Sequence, residues 1–353
     1  MRSPLSRRDL LVGLAAMPLA GRSATNRSTP GPRRIDVHHH FIPEEFRNFY
    51  AKATSESGAR PPPMDWVLGR DLDDMHRGGV RTAMLSIFTP YDAGTGAQRI
   101  ELARGINEAG ARLAGDHPGK FGQFATLPLP DLDASLREVT YAFDVLHADG
   151  ITLYSNLGDK WLGHPYFQPL LDELNRRQAV VFVHPTTASC CRGLVADVPD
   201  PVVEFGTDTT RAIASLIFSG AAGRFPRIRF IFSHGGGAMP FLIERFLGGM
   251  SAQLLPGVET RGQPAPYVPR QPEGGALAAI RRMYFDTAQC ANPVAMRALR
   301  GVVPASQILF GTDYFYRSAA DTAQGLATSR VFNRAELDAI EFGNSAALFP
   351  RFA

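Results

Sequence analysis

The chain has 353 residues, 44% hydrophobic and 20% charged, with a formal net charge of +3. These are the proportions of a globular protein, and the lack of a basic stripe excludes a nucleic-acid-binding role. Its three cysteines, Cys190, Cys191 and Cys290, are too few for a disulfide framework and read as plain thiols, Cys290 in the core.

The surplus of positive charge lies at the start. Residues 1–24 carry Arg2, Arg7, Arg8 and Arg22 against Asp9, and without them the chain is neutral. Arg7-Arg8 precedes a short apolar stretch ending at Leu19, then small residues to Ala24. A twin arginine before a short apolar core reads as a twin-arginine (Tat) export signal, so residues 1–33 are expected to be a signal and linker and the protein periplasmic. Without export it would be cytoplasmic. The apolar run is too short to span a bilayer.

From residue 34 a single domain is expected to run to 353. Apolar runs rich in β-branched and aromatic residues alternate with helical patterns. The predicted strands are 34–40, 81–88, 121–129, 151–155, 180–184, 228–234, 283–288 and 308–313. Between them the spacing predicts helices over 98–117, 131–147, 167–177, 203–223 and 240–247, with Asp131 as an N-cap. Residues 41–69 and 254–274 read as long loops or insertions. Eight strands alternating with helices favour a (β/α)₈ TIM-type barrel over an open sheet. Gly235-Gly236-Gly237 lacks a following Lys-Ser/Thr and is no phosphate loop.

The residues able to do chemistry sit where predicted strands end. His38 and His40 end the first strand on one face, with His39 on the other, because strand side chains alternate. His184 ends the fifth, His234 the sixth and Asp313 the eighth. In a barrel these ends form one face, where active sites lie. Imidazoles and a carboxylate suit one divalent metal ion, Zn²⁺ with Mn²⁺ as the alternative. His39, His76, His117, His147 and His164 read as non-ligands. Phe41, Phe88, Tyr91, Tyr154, Tyr314 and Phe315, near strand ends, are candidates for lining an apolar ring pocket.

The motifs Ile35-Asp36-Val37-His38-His39-His40, Phe182-Val183-His184-Pro185, Ser233-His234-Gly235-Gly236-Gly237-Ala238 and Leu309-Phe310-Gly311-Thr312-Asp313-Tyr314 resemble the amidohydrolase superfamily. The branch is that of aminocarboxymuconate-semialdehyde decarboxylase. Leu127-Pro128-Leu129-Pro130-Asp131, Cys190-Cys191 and Thr209-Thr210-Arg211-Ala212-Ile213 are similar to its 6-methylsalicylate decarboxylase-like members. The resemblance implies a metal-dependent hydrolase fold with His38, His40, His184 and Asp313 as metal ligands. It implies His234 and Asp313 as catalytic acid/base groups, and Arg245 as a substrate-carboxylate ligand reaching across a homodimer. Arg60 is the nearest candidate for a further substrate arginine, in a segment too short to fit a dicarboxylate. The implied activity is non-oxidative decarboxylation of a hydroxybenzoate-like acid. The alternative is hydrolysis of a lactone, ester or amide by a metal-bound hydroxide. A periplasmic binding protein without turnover is the third reading, and His234, superfluous for mere binding, argues against it.

Overall fold

In the computed structural model, the described residues are 33–57, 65–91, 94–247 and 272–353. The expected signal and linker (save Arg33), Arg60 and most of the 254–274 segment lie outside them. Eight parallel strands follow chain order around a barrel. They are β1 (Arg34–His40), β2 (Val80–Ser86), β3 (Phe121–Ala125), β4 (Gly150–Tyr154), β5 (Val180–His184), β6 (Arg229–Phe232), β7 (Tyr284–Asp286) and β8 (Ile308–Leu309). The main helices are α1 (Glu44–Ser57), α2 (Leu68–Arg77), α3 (Gly96–Asp116), α4 (Leu132–Asp144), α5 (Gln168–Arg176), α6 (Asp200–Phe218), α7 (Pro293–Val302) and α8 (Ala319–Ser329). No helix among the described residues is long and apolar enough to cross a membrane.

Several strands stop earlier than the apolar pattern suggests, for identifiable reasons. β3 ends at Ala125, because Pro128 and Pro130 beyond it have no N–H for a ladder. β8 ends at Leu309, because the chain then pairs with β1 instead. Val37 N–H donates to Phe310 O at 3.0 Å, Asp313 N–H to His38 O at 2.8 Å and His40 N–H to Tyr314 O at 2.8 Å. These bonds close the barrel and carry Asp313 beside the end of β1.

The expected loop at 41–69 is corrected: α1 fills much of it and α2 begins within it. Phe46 of α1 is buried and Phe49 and Tyr50 pack on the core, the three- and four-residue spacing of one helix face. α7 and α8 lie outside the expected helices, although Asn292 accepts from Val294 N–H and Ala295 N–H, and Ser318 from Asp321 N–H, as N-caps do. Asp131 does cap its helix, accepting from Ala134 N–H at 2.8 Å. All three cysteines are free, Cys190 exposed and the other two buried.

One irregularity in β1 decides where the histidines point. Asp36 pairs with Ala83 and His39 with Leu85, so three steps on β1 face two on β2. This is a β-bulge. Ile35 before it and Val37 within it pack with Met84, Phe124, Phe182 and Ile231 inside the barrel. With strict alternation His39 would join them. The bulge flips the phase, so His38 contacts Phe182 at 4.9 Å between ring centroids, while His39 turns outward to Asp71 of α2.

Asp36, fully buried, holds the bulge. Its Oδ1 accepts from the N–H groups of His38 (3.1 Å) and Thr312 (3.0 Å), and its Oδ2 from Thr312 Oγ1 at 2.6 Å. His39 lies between two carboxylates, Nδ1 at 2.9 Å from Asp36 and Nε2 at 2.8 Å from Asp71. Burial opposes its charge, but Asp71 and Asp36 outweigh burial and raise its pKa from 6.5 to about 10. His39 is therefore a cation held between these two carboxylates.

Removing Asp36 strands a buried imidazolium and two backbone donors. Asp36→Ala is expected to lower unfolding free energy by about 3–5 kcal/mol, read by urea titration. The His39 contribution should be complete below about pH 6.5 and disappear as pH rises through about 10, since the folded pKa lies above the unfolded one. His39→Gln should flatten that decline, measured with metal bound so that His38 does not titrate.

Candidate active site

The barrel brings all five sequence-selected groups to one point. His38 and His40 come from the end of β1, His184 from the end of β5, His234 from just past β6 and Asp313 from just past β8. His38, His184, His234 and Asp313 each offer a donor atom, and these atoms lie within 4.8 Å of one another. His40 Nε2 stands 3.2 Å from His38 Nε2 and 3.1 Å from Asp313 Oδ1. His184 closes the ring, with centroids 5.1 Å from both His38 and His40.

The outer ring nitrogens show which nitrogens are left for the centre. Nδ1 of His38 meets Asp286 Oδ2 at 2.8 Å, Nδ1 of His40 meets Ser86 O at 3.2 Å, and Nδ1 of His184 meets Pro185 O at 2.8 Å. Carboxylates and carbonyls only accept, so Nδ1 carries the proton in each ring and Nε2 faces inward.

The spacing suits a divalent ion. His38 Nε2, His40 Nε2 and Asp313 Oδ1 form a triangle with sides of 3.2, 3.1 and 3.2 Å. Ligands ~2.0–2.1 Å from a shared ion lie about 2.9–3.4 Å apart at tetrahedral to right angles. Asp313 Oδ1 is buried without a hydrogen-bond partner, a costly state that a cation relieves. Burial opposes ionisation of Asp313, but His38 and the hydrogen bonds around it hold its pKa well below the usual carboxylate range. Burial lowers the pKa of His40 and, with the charge of neighbouring imidazoles, puts His184 well below 6.5. Burial also opposes charge on His38, yet Asp286 and Asp313 raise it to about 10.

His234 stands apart from the triangle. Its Nε2 faces the other Asp313 oxygen, Oδ2, at 3.4 Å. Its backbone adopts a left-handed φ of 56°, as do Gln289 (55°) and Asp313 (66°). Three non-glycine site residues in that sparsely populated region indicate backbone held against its preference. The turn after His234 needs glycine for close approach, since a Cβ on Gly237 would lie 2.0 Å from Gly206 O of α6.

The centre opens into a cavity of about 620 Å³. Ile42, Phe46, Ile87, Phe88, Phe205 and Phe315 give it an apolar wall, while His40, His184, His234 and Asp313 make its polar end. No lysine or arginine lines it among the described residues. Of the aromatic candidates, Phe88, Tyr154 and Phe315 line it. Phe41 instead packs in the core, Tyr314 stacks on His39 at 4.6 Å, and Tyr91 contacts Tyr154 edge-on at 5.9 Å without reaching the wall. Arg245 is exposed on the short helix Ile243–Phe246, outside this chain's own cavity.

Sequence reasoning missed Asp286 and Gln289. Asp286 ends β7, so the rule that found the histidines also reaches it. Its Oδ1 accepts from the N–H groups of His234 (2.8 Å) and Ala288 (3.0 Å), linking two elements of the site. Gln289 lies in a turn and carries no spacing signal.

Known proteins share this architecture. The profile described as amidohydrolase matches residues 35–351. A 6-methylsalicylic acid decarboxylase of Penicillium expansum is 36% identical over 291 residues, covering 80% of this chain and 84% of its own. The 5-carboxyvanillate decarboxylase of Sphingomonas paucimobilis superposes with a TM-score of 0.77 at 21% identity, covering 91% of this chain and 99% of that one. A dihydroxybenzoic acid decarboxylase of Polaromonas sp. JS666, with bound manganese and 2-nitroresorcinol, gives 0.71 at 20% identity over 90% and 97%.

The two oxygens of Asp313 face different groups, Oδ1 the pair His38 and His40 and Oδ2 His234. His38→Ala is expected to lose bound metal and turnover together, whereas His234→Ala should keep its metal and lose turnover. Elemental analysis of the purified variants reads the difference, and a His234→Ala protein without metal would contradict the separation.

Proposed function

The chain belongs to the amidohydrolase family, and from that premise we propose that it is a metal-dependent, non-oxidative decarboxylase of a 6-methylsalicylate-type hydroxybenzoic acid. One observation carries the reading: a His/Asp centre lies at the polar end of an aromatic-walled cavity lined by no lysine or arginine among the described residues. A flat apolar ring fits the wall, and its carboxylate and neighbouring phenol oxygen fit the centre. The curated relative named above has the same substrate type.

His38, His40, His184 and Asp313 hold the metal, with Zn²⁺ as the first choice and Mn²⁺ as the second. When bound, the metal supplies Lewis-acid stabilisation of negative charge on the substrate oxygens. His234 delivers a proton to the ring carbon that bears the carboxylate. The carbon–carboxylate bond then breaks, its electron pair restores the aromatic ring, and CO₂ leaves. A proton thus replaces CO₂, and no oxidant is needed. The apolar wall keeps water from competing for that proton.

The missing cation is supplied by a second copy of the chain. Arg245, exposed on its own protomer, reaches the partner's cavity in a homodimer and pairs with the substrate carboxylate. The twin-arginine segment directs the protein to the periplasm after folding, with its metal loaded.

Metal-loaded protein should release CO₂ from a hydroxybenzoate within a panel that also holds lactones, esters and amides. Acid release from those, without CO₂ from any hydroxybenzoate, would make it a hydrolase. Arg245→Ala should keep metal and fold but raise KM, with a loss of about 2–5 kcal/mol in kcat/KM. A protein that stays fully active as a monomer would refute the shared cavity.

A further inference from the structure

Asp313 Oδ2 accepts from two side chains, His234 Nε2 at 3.4 Å and Gln289 Nε2 at 3.2 Å. The Gln289 amide must present its NH₂ to this carboxylate, because its oxygen would repel it. Gln289 is the only carboxamide lining the cavity among the described residues. It follows Asp286 by three positions, and the turn between them is fixed at several points. Ala288 N–H bonds to Asp286 Oδ1 at 3.0 Å, Cys290 N–H to Thr287 O at 3.2 Å, and Gln289 itself is held at a φ of 55°. One short turn therefore supports both ends of the centre, with Asp286 on His38 and Gln289 on Asp313.

We propose that Gln289 is a positioning residue that keeps the Asp313 carboxylate in place while His234 exchanges its proton. The proposal rests on the roles given above to Asp313 and His234. When His234 turns its Nε2–H toward the substrate ring, Oδ2 loses one of its two side-chain donors. Gln289 is then the side-chain donor that remains to it among the described residues, so the carboxylate does not rotate and Oδ1 stays aimed between His38 and His40. Gln289 does not touch the reacting carbon. Its effect falls on the proton-transfer step and on retention of the ion, not on substrate affinity.

Gln289 also lines a polar depression of about 500 Å³ on its other side, so substitution leaves no sealed void. Gln289→Met removes the donor at similar length. Gln289→Glu keeps the shape and places a like charge against Asp313. Both variants are expected to lower kcat by about 10- to 100-fold, the usual consequence of deleting a hydrogen-bond partner of a metal ligand. KM for the hydroxybenzoate should stay within about 3-fold of the parent. The metal should pass to a competing chelator faster than from the parent protein, at an unchanged unfolding midpoint. Unchanged kcat and metal release in both variants would overturn the proposal, as would a loss confined to KM, which would make Gln289 a substrate contact. If the parent protein releases no CO₂, the decarboxylase reading fails by itself. Metal release then decides on Gln289: faster transfer from the variants supports the proposal and equal transfer overturns it. Should Gln289→Met not fold, Gln289→Glu carries the test.

Discussion

The bulge in β1 is the constraint on which the site depends. Ile35 and Val37 must face the barrel interior to pack with Phe182 and Met84, and His38 and His40 must face it to meet His184 and Asp313. A regular strand cannot do both with these four positions. The extra residue between Asp36 and His39 makes it possible, and the fully buried Asp36 carboxylate accepts from the His38 and Thr312 N–H groups. The same carboxylate takes Thr312 of the closing segment, so the bond that shapes β1 also places Asp313.

Charge follows from that geometry. Outside the barrel, the His39 imidazolium lies between Asp36 and Asp71 and pairs with both. Inside, Asp286 orients His38, and carbonyl oxygens orient His40 and His184. Contacts within the protein thus hold these nitrogens and the carboxylate in position. His234 and Gln289 share the second oxygen of Asp313. In the proposed function this divides the residue between a face for coordination and a face for proton transfer.

Much of this was legible in the sequence because apolar strands of a barrel end at a common face, and a histidine or aspartate at such an end is conspicuous against its run. That logic located His38, His40, His184, His234 and Asp313 and the barrel itself. It did not show the bulge, since Asp36 looks like an ordinary polar residue until its four partners are known. α1 was hidden because its short stripe of Phe46, Phe49 and Tyr50 lies in an otherwise polar segment. Gln289 was hidden because its position depends on a backbone conformation that glutamine does not advertise.

Turnover of 6-methylsalicylate by the metal-loaded protein in D₂O, followed by NMR, tests the central claim most directly. The account requires one CO₂ per substrate consumed and one deuterium in the product, at the ring carbon that carried the carboxylate, with both signals lost when the metal is removed. Substrate returned unchanged by metal-loaded protein, or CO₂ release that persists without metal, would contradict it.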